Sequence, residues 1–332
     1  MRQQQSNNDS RLRQIKLWLI QVLDTDDYQL VPASSDASFR RYFRVMIEDE
    51  TLILMDAPPA QEDTRPFISI ASYMLENGIN VPKISAYDLA VGFLLLSDFG
   101  NRAYLDELNE QSADPLYKAA IDSLIAMQLM PVDTIRLPEY NSALLQQEMS
   151  LFPEWFLDKH LSIAAPIFLT EMFQLLINSA LEQPQVFVHR DYHSRNLMHT
   201  PDNSPGIIDF QDAVVGPISY DLVSLLRDCY IEWPDEKVEQ WVNYYYDKAI
   251  ENKILSKDVS IQQLTKWFDF MGLQRHIKVL GIFARLNYRD GKSNYMNDLP
   301  LTLRYVRKIS AKYPEFSELN SFLQQQEKIA AI

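Results

Sequence analysis

The sequence predicts an α+β chain in two lobes, a small β-rich N-lobe over residues 9–99 and a larger, mostly helical C-lobe over residues 100–332, behind a disordered tail at 1–8. Three observations carry this. Apolar and polar residues suggest a strand pair through residues 40–55, and a continuous apolar run at 91–96 follows a helix pattern stopped by Gly78. From Asp114 onward the apolar period becomes that of a helix. Inside that helical half one stretch, residues 186–212, breaks the pattern with short apolar runs that end in acids.

Taken in order, residues 1–8 are polar without apolar period and are expected to be disordered. A helix is expected from Asp9, where Leu12, Ile15, Leu19, Val22 and Leu23 recur at helical spacing with charges between them. The small polar turn Ser35, Asp36, Ala37 and Ser38 precedes a strand that Glu48-Asp49-Glu50 turns back into a second one ending Leu54-Met55-Asp56. Such a turn is suited to placing backbone N–H groups against phosphates. A helix is expected over 64–77, capped by Thr64, with Phe67, Ile70, Ala71, Met74 and Leu75 on one face. The run at 91–96 leads into Ser97-Asp98-Phe99-Gly100, where the lobes are expected to divide. Further helices are expected from Asp114 and at 142–160, 165–181, 220–230, 236–251, 261–288 with a break near Gly272, and 300–312.

The chemistry concentrates in residues 186–212. Val186-Phe187-Val188 reads as a buried strand delivering His189-Arg190-Asp191, Asn196 follows, and Ile207-Ile208 delivers Asp209 as the other arm of a hairpin. Phosphoryl transfer needs a carboxylate to orient and accept the proton of an attacking hydroxyl, and hard oxygen ligands for magnesium on the phosphates. Asp191 is the candidate catalytic base; Asn196 and Asp209 are the candidate metal ligands. His-x-Asp-x-x-x-x-Asn arises by chance at about one position in 8,000 on average composition, so the pattern outweighs an ordinary polar loop.

These residues resemble the catalytic loop and metal Asp of the aminoglycoside phosphotransferase and choline kinase family, small-molecule relatives of protein kinases. From Gly216 through Asp221 to Arg227-Asp228-Cys229-Tyr230 the chain resembles a narrower group, the bacterial N-acetylmuramate/N-acetylglucosamine anomeric kinases of cell-wall recycling. The resemblance covers nearly the whole chain. It implies a protein-kinase-like fold, ATP and Mg²⁺, and a hinge where backbone groups of Leu96, Ser97 and Asp98 meet adenine. It also implies an acceptor site at Glu154 and Trp155 and at Arg227 and Asp228, with Arg195 or Arg227 available for a sugar carboxylate. The family's strand-three Lys is missing, since that strand ends in Asp56, and no acid opens the helix at 64–77. A replacement cation at the nucleotide would have to come from Arg40, Arg41 or Arg44; alternation sends Arg40 and Arg44 to one face and Arg41 to the other, and favours Arg41.

Composition narrows the partners. A formal charge of −14 argues against nucleic acid or anionic lipid, which demand basic patches. The single Cys229 excludes an internal disulfide, and with no apolar run near the ~20 residues of a membrane helix a cytoplasmic monomer or weak dimer is expected. The expected partners are a nucleotide and a small sugar. Two other readings stay open: a phosphotransferase for an aminoglycoside, choline or another alcohol, and a silent nucleotide-binding module, suggested by the missing Lys.

Overall fold

The computed structural model describes residues 2–35 and 39–332. They form two compact units, one of residues 1–102 with 200–211, the other of 103–199 with 212–332. The return of 200–211 to the first unit was not expected, because a turn-rich stretch carries no periodicity that says which core it joins.

In the first unit, helix α1 (Arg2–Leu23) is followed by β1 (Gln29–Ser35), β2 (Arg41–Ile47), β3 (Glu50–Asp56), α2 (Arg65–Glu76), β4 (Ile84–Asp88) and β5 (Phe93–Ser97). The strands form one antiparallel sheet in the order β1-β2-β3-β5-β4. Ile15 and Leu19 of the α1 stripe are fully buried against Val45, Leu54, Phe93 and Leu95. The helix starts at Arg2 where a tail was expected up to residue 8; once its packed stripe forms, each further residue adds a hydrogen bond at little cost. Thr64 does stand at the N-cap of α2, but its side chain makes no capping bond. Asp63 takes the Arg65 N–H instead, at 3.0 Å.

In the second unit, α3 (Ala113–Gln128), α4 (Ser142–Leu151) and α5 (Leu169–Leu181) precede a ribbon of β6 (Gln185–Val188) and β7 (Val214–Pro217). After it come α6 (Tyr220–Leu226), α7 (Asp235–Glu251), α8 (Ile261–Asp290), α9 (Leu299–Lys312) and α10 (Ser317–Gln325). The expected hairpin between 186–188 and 207–208 is not what forms: Val186 stands opposite Gly216 and Val188 opposite Val214. Val214 and Val215 take the place beside β6, while Ile207 donates its N–H to the Asn80 carbonyl of the first unit at 2.7 Å. The helix expected over 142–160 is α-helical only to Leu151 and continues as a π-helix, Phe152–His160.

Helix α8 runs 30 residues without the break expected at Gly272. A Cβ added there would lie 2.9 Å from Val223, and one added at Gly281 would lie 2.3 Å from the Leu151 backbone. Both glycines are therefore close-approach positions that let α8 pack against α6 and α4, and burial outweighs the roughly 1 kcal/mol of helix propensity each lacks. Among the described residues, no helix is long and apolar enough to cross a membrane.

Candidate active site

Strand β6 ends by presenting His189, Arg190 and Asp191. Arg190 is held at φ 78°, a left-handed conformation that costs a non-glycine residue about 1–3 kcal/mol unless its surroundings fix it. What fixes it is Asp221, fully buried in the first turn of α6, whose carboxylate accepts the N–H of His189 at 2.7 Å and of Arg190 at 3.0 Å. Burial pushes the Asp221 carboxyl up to about 7 against the pull of those two bonds, with the Asp191 charge adding to the rise. Tyr192 anchors the next position through its hydroxyl to the Ala120 carbonyl at 2.8 Å. The Asn196 amide N–H donates to the Asp191 carbonyl at 2.9 Å, which orients the side chain.

Asp191 lines a cavity of about 330 Å³. Burial raises its carboxyl, but Lys278, then His193, Arg275 and Arg190, together outweigh burial and hold it below the ordinary carboxylate range. It is therefore an ionised proton acceptor at neutral pH. Burial lowers the His193 imidazole, against the pull of Asp228 and Asp191. Across the cavity, buried Glu148 receives Arg190, Lys278 at 3.1 Å and the Tyr140 hydroxyl, and Lys278 also donates to the Tyr220 hydroxyl at 2.9 Å. Burial raises the Glu148 carboxyl, and Lys278 with Arg190 reverses this, leaving it lowered. Arg275, Lys278, Ile282 and Arg285 lie along one face of α8 and line the cavity together. Sequence reading missed this stripe, although basic residues recurring at helical spacing in an otherwise apolar helix were a usable signal. Cys229 is buried with its thiol raised by burial, and Arg275 Nη1 lies 3.6 Å from its Sγ, so it is not an activated nucleophile.

Glu154 is exposed and Trp155 half-buried on the π-helix. Arg227 is paired with buried Asp269 at 2.6 Å and opens onto a different cavity. Asp228 accepts the Ser194 N–H at 2.9 Å, the Ser194 hydroxyl and the Tyr230 N–H at 3.0 Å, and so ties down the loop after Asp191. Arg195 is exposed over the Tyr230 ring, 3.4 Å from its centroid. None of these five expected acceptor residues lines the Asp191 cavity.

In the first unit, Asp209 sits at φ 66°, with buried Phe210 packed on Phe67 at 4.8 Å between ring centroids. Gln211 donates to the Asp209 carboxylate at 2.8 Å, and Arg40 Nη1 lies 3.9 Å from it. Arg40 also pairs with Glu62 at 3.5 Å, an acid just ahead of α2 that lay outside the window read as helix. Arg41, the expected nucleotide cation, instead bonds the fully buried Asp56 at 2.9 Å, and Arg11 of α1 meets the same carboxylate at 2.7 Å. Of the expected phosphate-covering turn, Ser35 closes β1 opposite Arg41, while Asp36, Ala37 and Ser38 lie outside the described residues. Of the expected hinge, Leu96 stands in the β5 ladder and Ser97 donates its N–H to the Lys83 carbonyl at 2.9 Å. The Asp98 carboxylate is held by Arg44 at 3.0 Å. Burial raises Asp98, but Arg44 and the Gly100 N–H bring it below its usual range.

Comparison with known proteins matches residues 29–251 to the model of the phosphotransferase enzyme family. The chain is 44% identical to an N-acetylmuramate/N-acetylglucosamine kinase of Pseudomonas aeruginosa, over 96% of this chain and 97% of that protein. To the enzyme of the same name from Pseudomonas putida it is 42% identical, over 95% and 96%. Among solved structures it resembles an aminoglycoside phosphotransferase with ADP bound, at a TM-score of 0.58 and 14% identity over 89% of this chain and 98% of that one.

Proposed function

This chain belongs to the phosphotransferase enzyme family, and from that premise we propose that it transfers the γ-phosphate of ATP to the anomeric hydroxyl of N-acetylmuramate and N-acetylglucosamine, in cytoplasmic recycling of cell-wall sugars. The observation that carries the reading is Asp191, kept ionised by surrounding cations on the wall of a cavity of about 330 Å³, a volume suited to a small ligand. As the sugar oxygen bonds to the γ-phosphorus, the bond from that phosphorus to the bridging oxygen breaks, ADP departs, and the hydroxyl proton passes to the Asp191 carboxylate. An anomeric hydroxyl is more acidic than an ordinary alcohol, so less of the proton has to move before the phosphoryl group arrives. The transition state is loose, and holding one hydroxyl in line is most of the task.

In this reading Asn196 and Asp209 would each offer magnesium a hard side-chain oxygen, and the bonds from Asn196 to the Asp191 carbonyl and from Gln211 to Asp209 orient those side chains. When bound the ion neutralises charge on the phosphates. On the nucleotide side the reading keeps the turn at 35–38 and the backbone of Leu96, Ser97 and Asp98, and moves the replacement cation from Arg41 to Arg40. Arg41 is committed to Asp56, whereas Arg40 stands at Asp209 and Glu62, an arrangement like the Lys–Glu pair of kinases.

An aminoglycoside or choline acceptor is disfavoured because the cavity sets four basic side chains, Arg190, Arg275, Lys278 and Arg285, against three carboxylates. A silent binding module would have no use for an ionised Asp191. The test is an acceptor panel with ATP and magnesium: turnover is expected with the two N-acetylated sugars and not with kanamycin or choline. Turnover with an aminoglycoside alone would overturn the acceptor assignment.

A further inference from the structure

The four basic residues of the Asp191 cavity do not have equal commitments. Arg190 and Lys278 both engage Glu148, and Arg275 bonds the Cys229 sulfur and lies in the field of Asp191 and Asp228. Arg285 is different. Its Nε is buried without a hydrogen-bond partner, and among the described residues no carboxylate pairs with it. The acid five residues on, Asp290, is taken by Arg289 at 2.8 and 2.9 Å. Burial and the neighbouring Arg289 hold the Arg285 guanidinium below its usual range, against a partial pull from Asp290. A half-buried guanidinium left in this state is costly, and its fork of donors matches a planar anion.

The geometry points to Arg285 as the receptor for a carboxylate carried on the acceptor sugar, and hence as the residue that separates acidic from neutral N-acetylated sugars. This inference rests on reading the Asp191 cavity as the acceptor site. The apolar side chains of Leu144, Val279 and Ile282 line the same cavity and suit the methyl groups that such substituents carry. With a carboxylate seated, the excess of basic over acidic side chains in the cavity is neutralised.

The experiment compares N-acetylmuramate, its methyl ester and N-acetylglucosamine on the wild-type enzyme and on Arg285→Gln. A charge-assisted pair of hydrogen bonds should be worth roughly 30-fold in KM, with kcat nearly unchanged, because the contact is the same in ground and transition states. On wild type the ester should therefore carry a KM about 30-fold above the acid. On Arg285→Gln the acid and ester should have equal KM values, and the ratio of kcat/KM for N-acetylmuramate over N-acetylglucosamine should fall by the same factor. An ester penalty that persists at full size in the variant, or an equal loss for both sugars, overturns the inference while the acceptor reading stands. Wild-type enzyme that treats acid and ester alike overturns it without any variant, so poor folding of Arg285→Gln cannot shield it. Wild-type enzyme that phosphorylates neither sugar overturns the acceptor reading and the inference with it.

Discussion

The arginines of the first unit's sheet and the basic stripe of α8 differ in where their charges end. Arg11 and Arg41 converge on Asp56, whose side chain is 0% exposed, and Arg44 closes on Asp98, whose side chain is 2% exposed. On α8, Arg285 has no carboxylate partner among the described residues, and Lys278 shares Glu148 with Arg190 beside an open cavity. A cation neutralised by a buried acid is part of the framework, because removing either member strands the other. A cation kept near a cavity without full compensation carries a cost that only a ligand relieves.

The comparison can be broken at four points. The largest effect belongs to the base: Asp191→Asn keeps the shape but cannot accept a proton, and kcat should fall by roughly 10³-fold with KM for ATP nearly unchanged. Equal losses in both would mean that Asp191 acts through metal or folding. Its depressed ionisation adds a pH signature. Because the carboxyl lies below the ordinary value of about 4, it remains charged through pH 5, and kcat/KM should show no acidic limb between pH 5 and 8 from this group. An acidic limb centred near 6 that vanishes in Asp191→Asn would contradict the assignment.

Next comes the framework. Asp56→Asn should lower unfolding stability by about 2 kcal/mol, less than for a fully enclosed triad because Arg11 and Arg41 are part-exposed and can regain water. A urea titration checks it, and activity per folded molecule should not change. The third point separates neighbours on the same strand entry: Arg40→Ala should raise KM for ATP by roughly 10-fold, and Arg41→Ala by less than about 3-fold while losing stability instead. The reverse order would return the nucleotide cation to Arg41. The smallest effect is at the surface, where Arg65 and Asp63 are 77% and 51% exposed. Arg65→Ala removes the ion pair but keeps the backbone bond to Asp63, and should leave the thermal midpoint where it was, since such a pair is screened and mobile.

How far the sequence could be read follows from the same distinction. Periodicity located the α1 stripe, the strands of the first unit and most helices, because burying one face of an element is a local property. The loop proposed as catalytic could be picked out because Asp191 and Asn196 lie within one short segment. Pairing was not legible: Val186 could have met Ile207 or Gly216, and only the packed structure chooses the latter. Nor was the wall of the Asp191 cavity, because Glu148, Arg190 and Lys278 come from α4, the loop after β6, and α8, far apart in sequence. The partner of Arg41 was illegible for a related reason. Alternation gives the face of a strand residue but not the buried acid waiting on that face, here Asp56 directly opposite in the sheet register.

The most direct test of the whole account is the position of the transferred phosphate. Wild-type enzyme with ATP, magnesium and N-acetylmuramate or N-acetylglucosamine is expected to yield the 1-phosphate as its sole sugar product, identified by phosphorus coupling to the anomeric proton in the NMR spectrum. A 6-phosphate, or a mixture of positions, would contradict it.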